Sequence, residues 1–119
     1  MGMNLTGSWI YEEDFGYGMS RGVAELVQVG NKISGSIQLR EEVDGEDPFT
    51  VVQQIEGSIQ DDRVVMVGVS YEVKGQPENF EYCLDSWDGQ LTNKDLIVGE
   101  SEDSDGLIGI FVFKRQKPK

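Results

Sequence analysis

Period-two alternation of apolar and polar residues runs through most of the chain, and no eleven-residue window carries a 3.6-residue period with credible helix caps. Val23, Glu25, Val27 and Val29 alternate with Ala24, Leu26 and Gln28. Ile33, Gly35, Ile37 and Leu39 alternate with Ser34, Ser36, Gln38 and Arg40, as in a strand with one dry and one wet face. Phe49, Val51, Gln53, Ile55, Gly57 and Ile59 share a face of the next segment, and Val65, Val67, Val69, Tyr71 and Val73 a face of the one after. Phe80, Tyr82 and Leu84 then oppose Glu81 and Asp85. The alternation predicts strands over residues 6–13, 20–29, 33–42, 49–60, 63–74, 78–92, 95–101 and 107–115.

Three segments repeat one turn grammar, an apolar residue, a polar turn, then an apolar residue and a glycine. The turns at Asn31, Asp61 and Asn93 recur every 30 to 32 residues, the length of two strands out and back. They mark three hairpins whose tips share one end. Asp88-Gly89 reads as a bulge, because a hairpin there would break the spacing. The whole chain, residues 1–119, is then one all-β domain: an eight-stranded antiparallel up-and-down β-barrel, which leaves no open edge. A two-sheet β-sandwich is the alternative. The last strand is apolar on both faces, with Ile108, Ile110 and Val112 on one and Leu107, Phe111 and Phe113 on the other. Its outer face is expected to be covered, by the termini or by another copy in a homo-oligomer.

Composition narrows the chemistry. The chain has no histidine and a single cysteine, Cys83, so neither an internal disulfide nor a zinc signature is available. No cofactor or metal is expected. Ser101-Glu102-Asp103-Ser104-Asp105-Gly106 partly resembles an EF-hand loop, but its twelfth position is Val112 instead of Glu, and a β-turn is the better reading. The formal charge is −12, with no basic footprint beyond Lys114, Arg115, Lys117 and Lys119, which argues against nucleic acid. No stretch reaches the roughly 18 apolar residues of a helical span, so no membrane partner is expected, and a cytoplasmic location is the default.

The segments Leu5-Thr6-Gly7-Ser8-Trp9 and Gly109-Ile110-Phe111-Val112-Phe113-Lys114-Arg115 resemble the calycin superfamily, which includes lipocalins and avidins. Its members carry Gly-x-Trp at the start of the first strand and a basic residue near the end of the last. The resemblance implies that Arg115 lies over the Trp9 ring and closes the barrel base. The opening looks most like avidins, but their biotin site does not carry over. Avidins place a tyrosine on the third strand, where this chain has Ile37, and line the site with several tryptophans, where only Trp9 and Trp87 exist.

The longer connections fall at the end opposite the three tips. They hold Glu12, Glu13, Asp14, Glu41, Glu42, Asp44, Glu46, Asp47, Glu78, Glu100, Glu102, Asp103 and Asp105, which is 13 of the 22 acids. An acidic rim there would attract cations or a basic protein surface. Glu12, Glu13, Asp14, Glu42, Asp44, Glu46, Asp47, Glu102, Asp103 and Asp105, with Phe15 and Tyr17 in the first loop, are the expected partner-binding residues. The chain reads as a non-catalytic binding module for a cationic or basic partner, of the inhibitor or immunity-protein kind. Its alternative role is a carrier or sensor of a small, cationic or amphipathic ligand inside the barrel, lined by Gln53, Tyr71, Phe80 and Tyr82. Catalysis is not expected while the carboxylates sit on an exposed rim. A buried carboxylate inside the barrel would reopen that question.

Overall fold

The computed structural model describes residues 4–74 and 82–116. Eight strands follow in order: β1 (Gly7–Asp14), β2 (Gly18–Val29), β3 (Lys32–Val43), β4 (Phe49–Gln60), β5 (Arg63–Lys74), β6 (Asp85–Asn93), β7 (Leu96–Asp103) and β8 (Ile108–Arg115). Each pairs antiparallel with the next, and β8 closes on β1. The sheet is a closed up-and-down barrel, not a sandwich. Seven strands lie within two residues of the ranges read from alternation. The sixth begins at Asp85 instead of residue 78; Glu78 and Phe80 lie outside the described residues.

Inward positions follow the period-two pattern and form a single core. Trp9 and Tyr11 of β1, Ala24 and Leu26 of β2, Ile37 and Leu39 of β3, Ile55 of β4, Trp87 of β6, Ile97 of β7 and Phe111 and Phe113 of β8 are buried. Burying so many large apolar side chains, each worth roughly 1.5–3 kcal/mol, is what closes the sheet. A Cβ at Gly89 would sit 2.8 Å from Ile97 Cγ2 and 2.9 Å from Phe111 Cζ. That glycine exists for packing. The bulge expected at Asp88-Gly89 is absent, since both residues keep regular register with β5 and β7.

The irregularities fall elsewhere. One separates Leu91 from Asn93. The other lies between Gln54 and Ile55, where β5 carries Val69 as an extra residue between Gly68 and Ser70. That residue reverses the phase of β5. Before it, Val64 and Met66 are buried and Val65 and Val67 are exposed. After it, Tyr71 and Val73 stand opposite Gln53 and Val51, both buried, and so face inward. The single apolar face read over residues 65–73 is therefore two half-faces joined at a bulge.

The three tips share one end, as expected, although the third turn is Lys94-Asp95, just beyond Asn93. This end is sealed. Arg115 lies 4.4 Å above the Trp9 ring, bonds to Asp95 Oδ1 at 3.1 Å, and donates to the carbonyls of Asn4, Thr6 and Lys94. Trp9 Nε1 donates to the Leu5 carbonyl at 2.9 Å, with Leu5 fully buried beneath it. The opposite end stays open.

Candidate ligand-binding site

Inside the open end the alternation of β1, β3 and β6 continues from apolar into acidic residues. Trp9 and Tyr11 are followed on the same face by Glu13, Ile37 and Leu39 by Glu41, and Trp87 is preceded by Asp85. Glu13 and Glu41 are each only 7% exposed, and Asp85 is half-buried. All three line a cavity of about 700 Å³ with Phe15, Tyr17, Ser20, Val43, Phe49, Tyr82, Cys83, Leu107 and the acids Glu46, Asp47, Asp103 and Asp105. Among the described residues no arginine or lysine lines it.

Each of the three inner carboxylates is held by hydroxyl or amide donors. Glu13 accepts from Tyr11 Oη and, at 2.8 Å, from Ser101 Oγ, while Trp87 Nε1 donates to the Tyr11 hydroxyl at 2.9 Å. Glu41 accepts from Ser20 Oγ. Gln53, fully buried, donates to Asp85 Oδ2 at 2.8 Å. A Cβ at Gly68 would meet Gln53 Oε1 at 2.2 Å and one at Gly109 would meet Glu13 Oε2 at 2.4 Å, so both glycines leave room for the cluster.

Tyr82 joins the two halves of the site. Its hydroxyl oxygen lies 2.7 Å from Glu41 Oε1 and 2.8 Å from Asp85 Oδ2. A phenol has one proton to donate. For both contacts to be hydrogen bonds, one carboxyl must itself be protonated and donate to Tyr82. Burial pushes the Asp85 carboxyl up to about 7, with the Glu13 and Glu41 charges adding to the rise and bonds from Gln53 and Tyr82 opposing it. Burial also raises Glu41, and it raises Tyr82 and Tyr11 far enough to keep both phenols neutral.

The sequence reading of these acids needs correction. Glu13 belongs to the interior, because it shares the face of Trp9 and Tyr11. Phe15, Tyr17, Glu46, Asp47, Asp103 and Asp105 line the cavity entrance, and Phe15 packs edge-on against Tyr17. Glu12, Asp14 and Glu102 point outward on the barrel wall, while Glu42 is exposed and pairs with Arg40 at 3.3 Å. Asp44 lies in the exposed β3–β4 turn. Of the interior candidates, Gln53 and Tyr82 are at the site. Tyr71 is 39% exposed, its ring 5.6 Å from that of Tyr82, and it accepts a bond from the Tyr82 amide. Sequence reasoning missed Asp85, Ser20 and Tyr11. Asp103 caps the predicted turn, accepting from the Asp105 and Leu107 amides at 2.9 Å.

No protein-family model matches the chain, and no curated protein matches it in sequence. Solved structures do. The chain is similar to a redesigned β-barrel, mFAP1, bound to DFHBI, with a TM-score of 0.64 and 14% identity over 93% of this chain and 94% of that one. It is also similar to a de novo designed fluorescence-activating β-barrel, with a TM-score of 0.60 and 14% identity over 95% and 94% of the two chains. At such identities the likeness establishes the eight-stranded barrel fold.

Proposed function

We propose that this protein is a small-ligand-binding barrel whose cavity takes an organic cation, an amine carried on an apolar or aromatic body. The observation that carries this reading is the floor of the cavity, where Glu13, Glu41 and Asp85 gather with no described base beside them. Burying like charges without a counter-charge is costly. A protonated amine would supply that charge and donate to the floor's acceptors. Phe49 and Tyr82, whose rings meet edge-on at 6.3 Å, with Phe15 and Tyr17 at the entrance, provide apolar and π surface for the rest of the ligand. Among the described residues no three acid, cysteine or histidine side chains converge tightly enough to hold a metal ion, which favours an organic cation. The mFAP1 structure, a barrel of the same fold, is bound to a small molecule, DFHBI, which supports a small ligand over a protein. The Gly7-x-Trp9 closure with Arg115 further supports a calycin-like ancestry.

Calorimetric titration with phenethylamine, against phenylpropanol and hydrocinnamate as neutral and anionic counterparts, tests the reading. The amine should bind, the anion should not, and Glu41→Gln or Asp85→Asn should weaken the amine by about tenfold or more. Equal binding of the three, or indifference to both substitutions, overturns it. A basic protein at the exposed rim would instead respond to Glu46 and Asp47 and leave Asp85 unaffected.

A second reading has one observation in its favour. Asp85, half-buried and titrating near neutrality beside Tyr82, meets the protonation requirement for a general acid or base. The non-catalytic reading expects the bound amine to be recovered unchanged after prolonged incubation. Conversion of the amine, lost in Asp85→Asn, would replace binding with catalysis.

A further inference from the structure

The outer wall of the barrel is polar on β3, where Lys32, Ser34, Gln38 and Arg40 are exposed, and carries exposed valines on β2 and β5, among them Val23, Val27, Val65 and Val67. Around β8 the exposed apolar side chains are larger. Ile110 is 70% exposed and Ile108 56%, and Val112 is half-buried between them and Lys114. The flanking strands extend this face at matching levels. Leu96, Lys114 and Ile10 form one row, Val98, Val112 and Glu12 the next, and Glu100, Ile110 and Asp14 the third. Lys114 thus stands one row to the base side of Val112, and two acids flank Ile110 one row to the mouth side. Among the described residues Lys114 takes part in none of the ion pairs.

We propose that this face is the interface of a two-fold homodimer, with two β8 strands packed face to face and antiparallel about an axis through Val112. That operation lays Lys114 of each copy over Ile110 of the other, between Glu100 and Asp14 of the second copy. Val98 and Val112 meet their own counterparts at the centre, Lys114 meets acids on either side, and the single like-charge contact is Glu12 against Glu12. A parallel arrangement would instead stack the acids of one copy on those of the other, a like-charge contact that costs stability. The antiparallel choice also suits the whole barrel. Lys32, Arg63, Lys94, Lys114 and Arg115 lie at the closed end with Asp61, Asp62 and Asp95, and the acidic loops lie at the open end, so opposed barrels set the mixed end of one beside the acidic end of the other. Both mouths stay free, so assembly does not depend on the ligand reading above. The patch spans three rows on three strands, a small face beside the ~800 Å² per partner of a stable interface, so the dimer is expected to be concentration-dependent.

Sedimentation velocity across a concentration series, from about 1 to 300 µM, decides the point, this being the range where small interfaces exchange. The wild-type mass should rise from one 13.3 kDa chain toward two. Ile110→Lys should abolish the rise, and Lys114→Glu should weaken association by about tenfold. Adding Glu100→Lys to Lys114→Glu should restore most of it, while Val67→Lys, on the exposed face of β5, should leave it unchanged. Circular dichroism confirms that each variant is folded. A monomer at every concentration, a dimer indifferent to Ile110→Lys, or a charge swap that fails to restore association would each overturn the proposal.

Discussion

Tyr82 offers one proton to two carboxylate oxygens, and the pH behaviour of the site follows from that shortage. The folded Asp85 carboxyl sits at about 7, above its ordinary value of 3.8. A carboxyl raised on folding contributes stability that is full below the unfolded pKa and is lost as pH rises through the folded one. The ligand-free protein should therefore lose this contribution between about pH 4 and pH 7, the two ends of that shift. Asp85→Asn should flatten that dependence and stabilise the protein above neutrality by about 1–3 kcal/mol, each pKa unit being worth roughly 1.4 kcal/mol. Thermal melts at several pH values measure it, and a variant as pH-sensitive as the wild type would contradict the assignment. Amine affinity should run the other way, falling as pH drops below about 7, because Asp85 must release its proton to pair with the cation. Gly109→Ala makes a second residue-scale test. Its Cβ would meet Glu13 Oε2 at 2.4 Å and Ser101 Oγ at 3.0 Å, so the site should be displaced at a cost of about 1–3 kcal/mol, read by chemical denaturation.

At the scale of the strand, the bulge in β5 decides which side chains reach the mouth. Inserting one alanine between Ser70 and Tyr71 would shift the strand beyond the bulge by one residue and place the alanine and Glu72 on the inner face where Tyr71 and Val73 now stand. Destabilisation by about 3 kcal/mol or more is expected from losing that packing, together with loss of amine binding. An insertion variant with wild-type stability would show that β5 has no fixed phase. The same bulge marks where the sequence stops being legible. Val67-Gly68-Val69-Ser70-Tyr71 alternates cleanly as written, and only the pairing with Gln54 and Ile55 reveals the extra residue. Glu41 was within reach of the pattern, since it continues the face of Ile37 and Leu39, and Glu13 stands in the same relation to Trp9 and Tyr11. Their charge and their position at strand ends made them look like loop residues. Asp85 was out of reach, because residues 82–84 are not strand and the phase linking Tyr82 to Asp85 is broken there. The strand count and the shared end of the three tips depend only on local periodicity and spacing, and both survive intact, as does the Trp9–Arg115 closure that the calycin resemblance implied.

For the molecule as a whole, charge and closure share one axis. The sealed base carries Arg115 over Trp9, and the open end carries the acids, within a net charge of −12. A cation approaching the mouth meets Glu46, Asp47, Asp103 and Asp105 first, before it reaches the floor. The two sets should act on different rate constants. Exposed acids steer encounter through solvent and are screened as the Debye length shrinks from about 20 Å at 0.02 M salt to about 4 Å at 0.5 M. The floor carboxylates act at contact range, where salt has little access. Stopped-flow measurement with phenethylamine should therefore show an association rate that drops severalfold over that salt range, with the dissociation rate nearly constant. Neutralising Glu46 and Asp47 together should reduce the association rate and its salt dependence without altering dissociation. Glu41→Gln should accelerate dissociation and leave the salt dependence of association in place. If salt changed only the dissociation rate, or if the rim and floor substitutions were interchangeable, the division between a steering rim and a binding floor would be wrong.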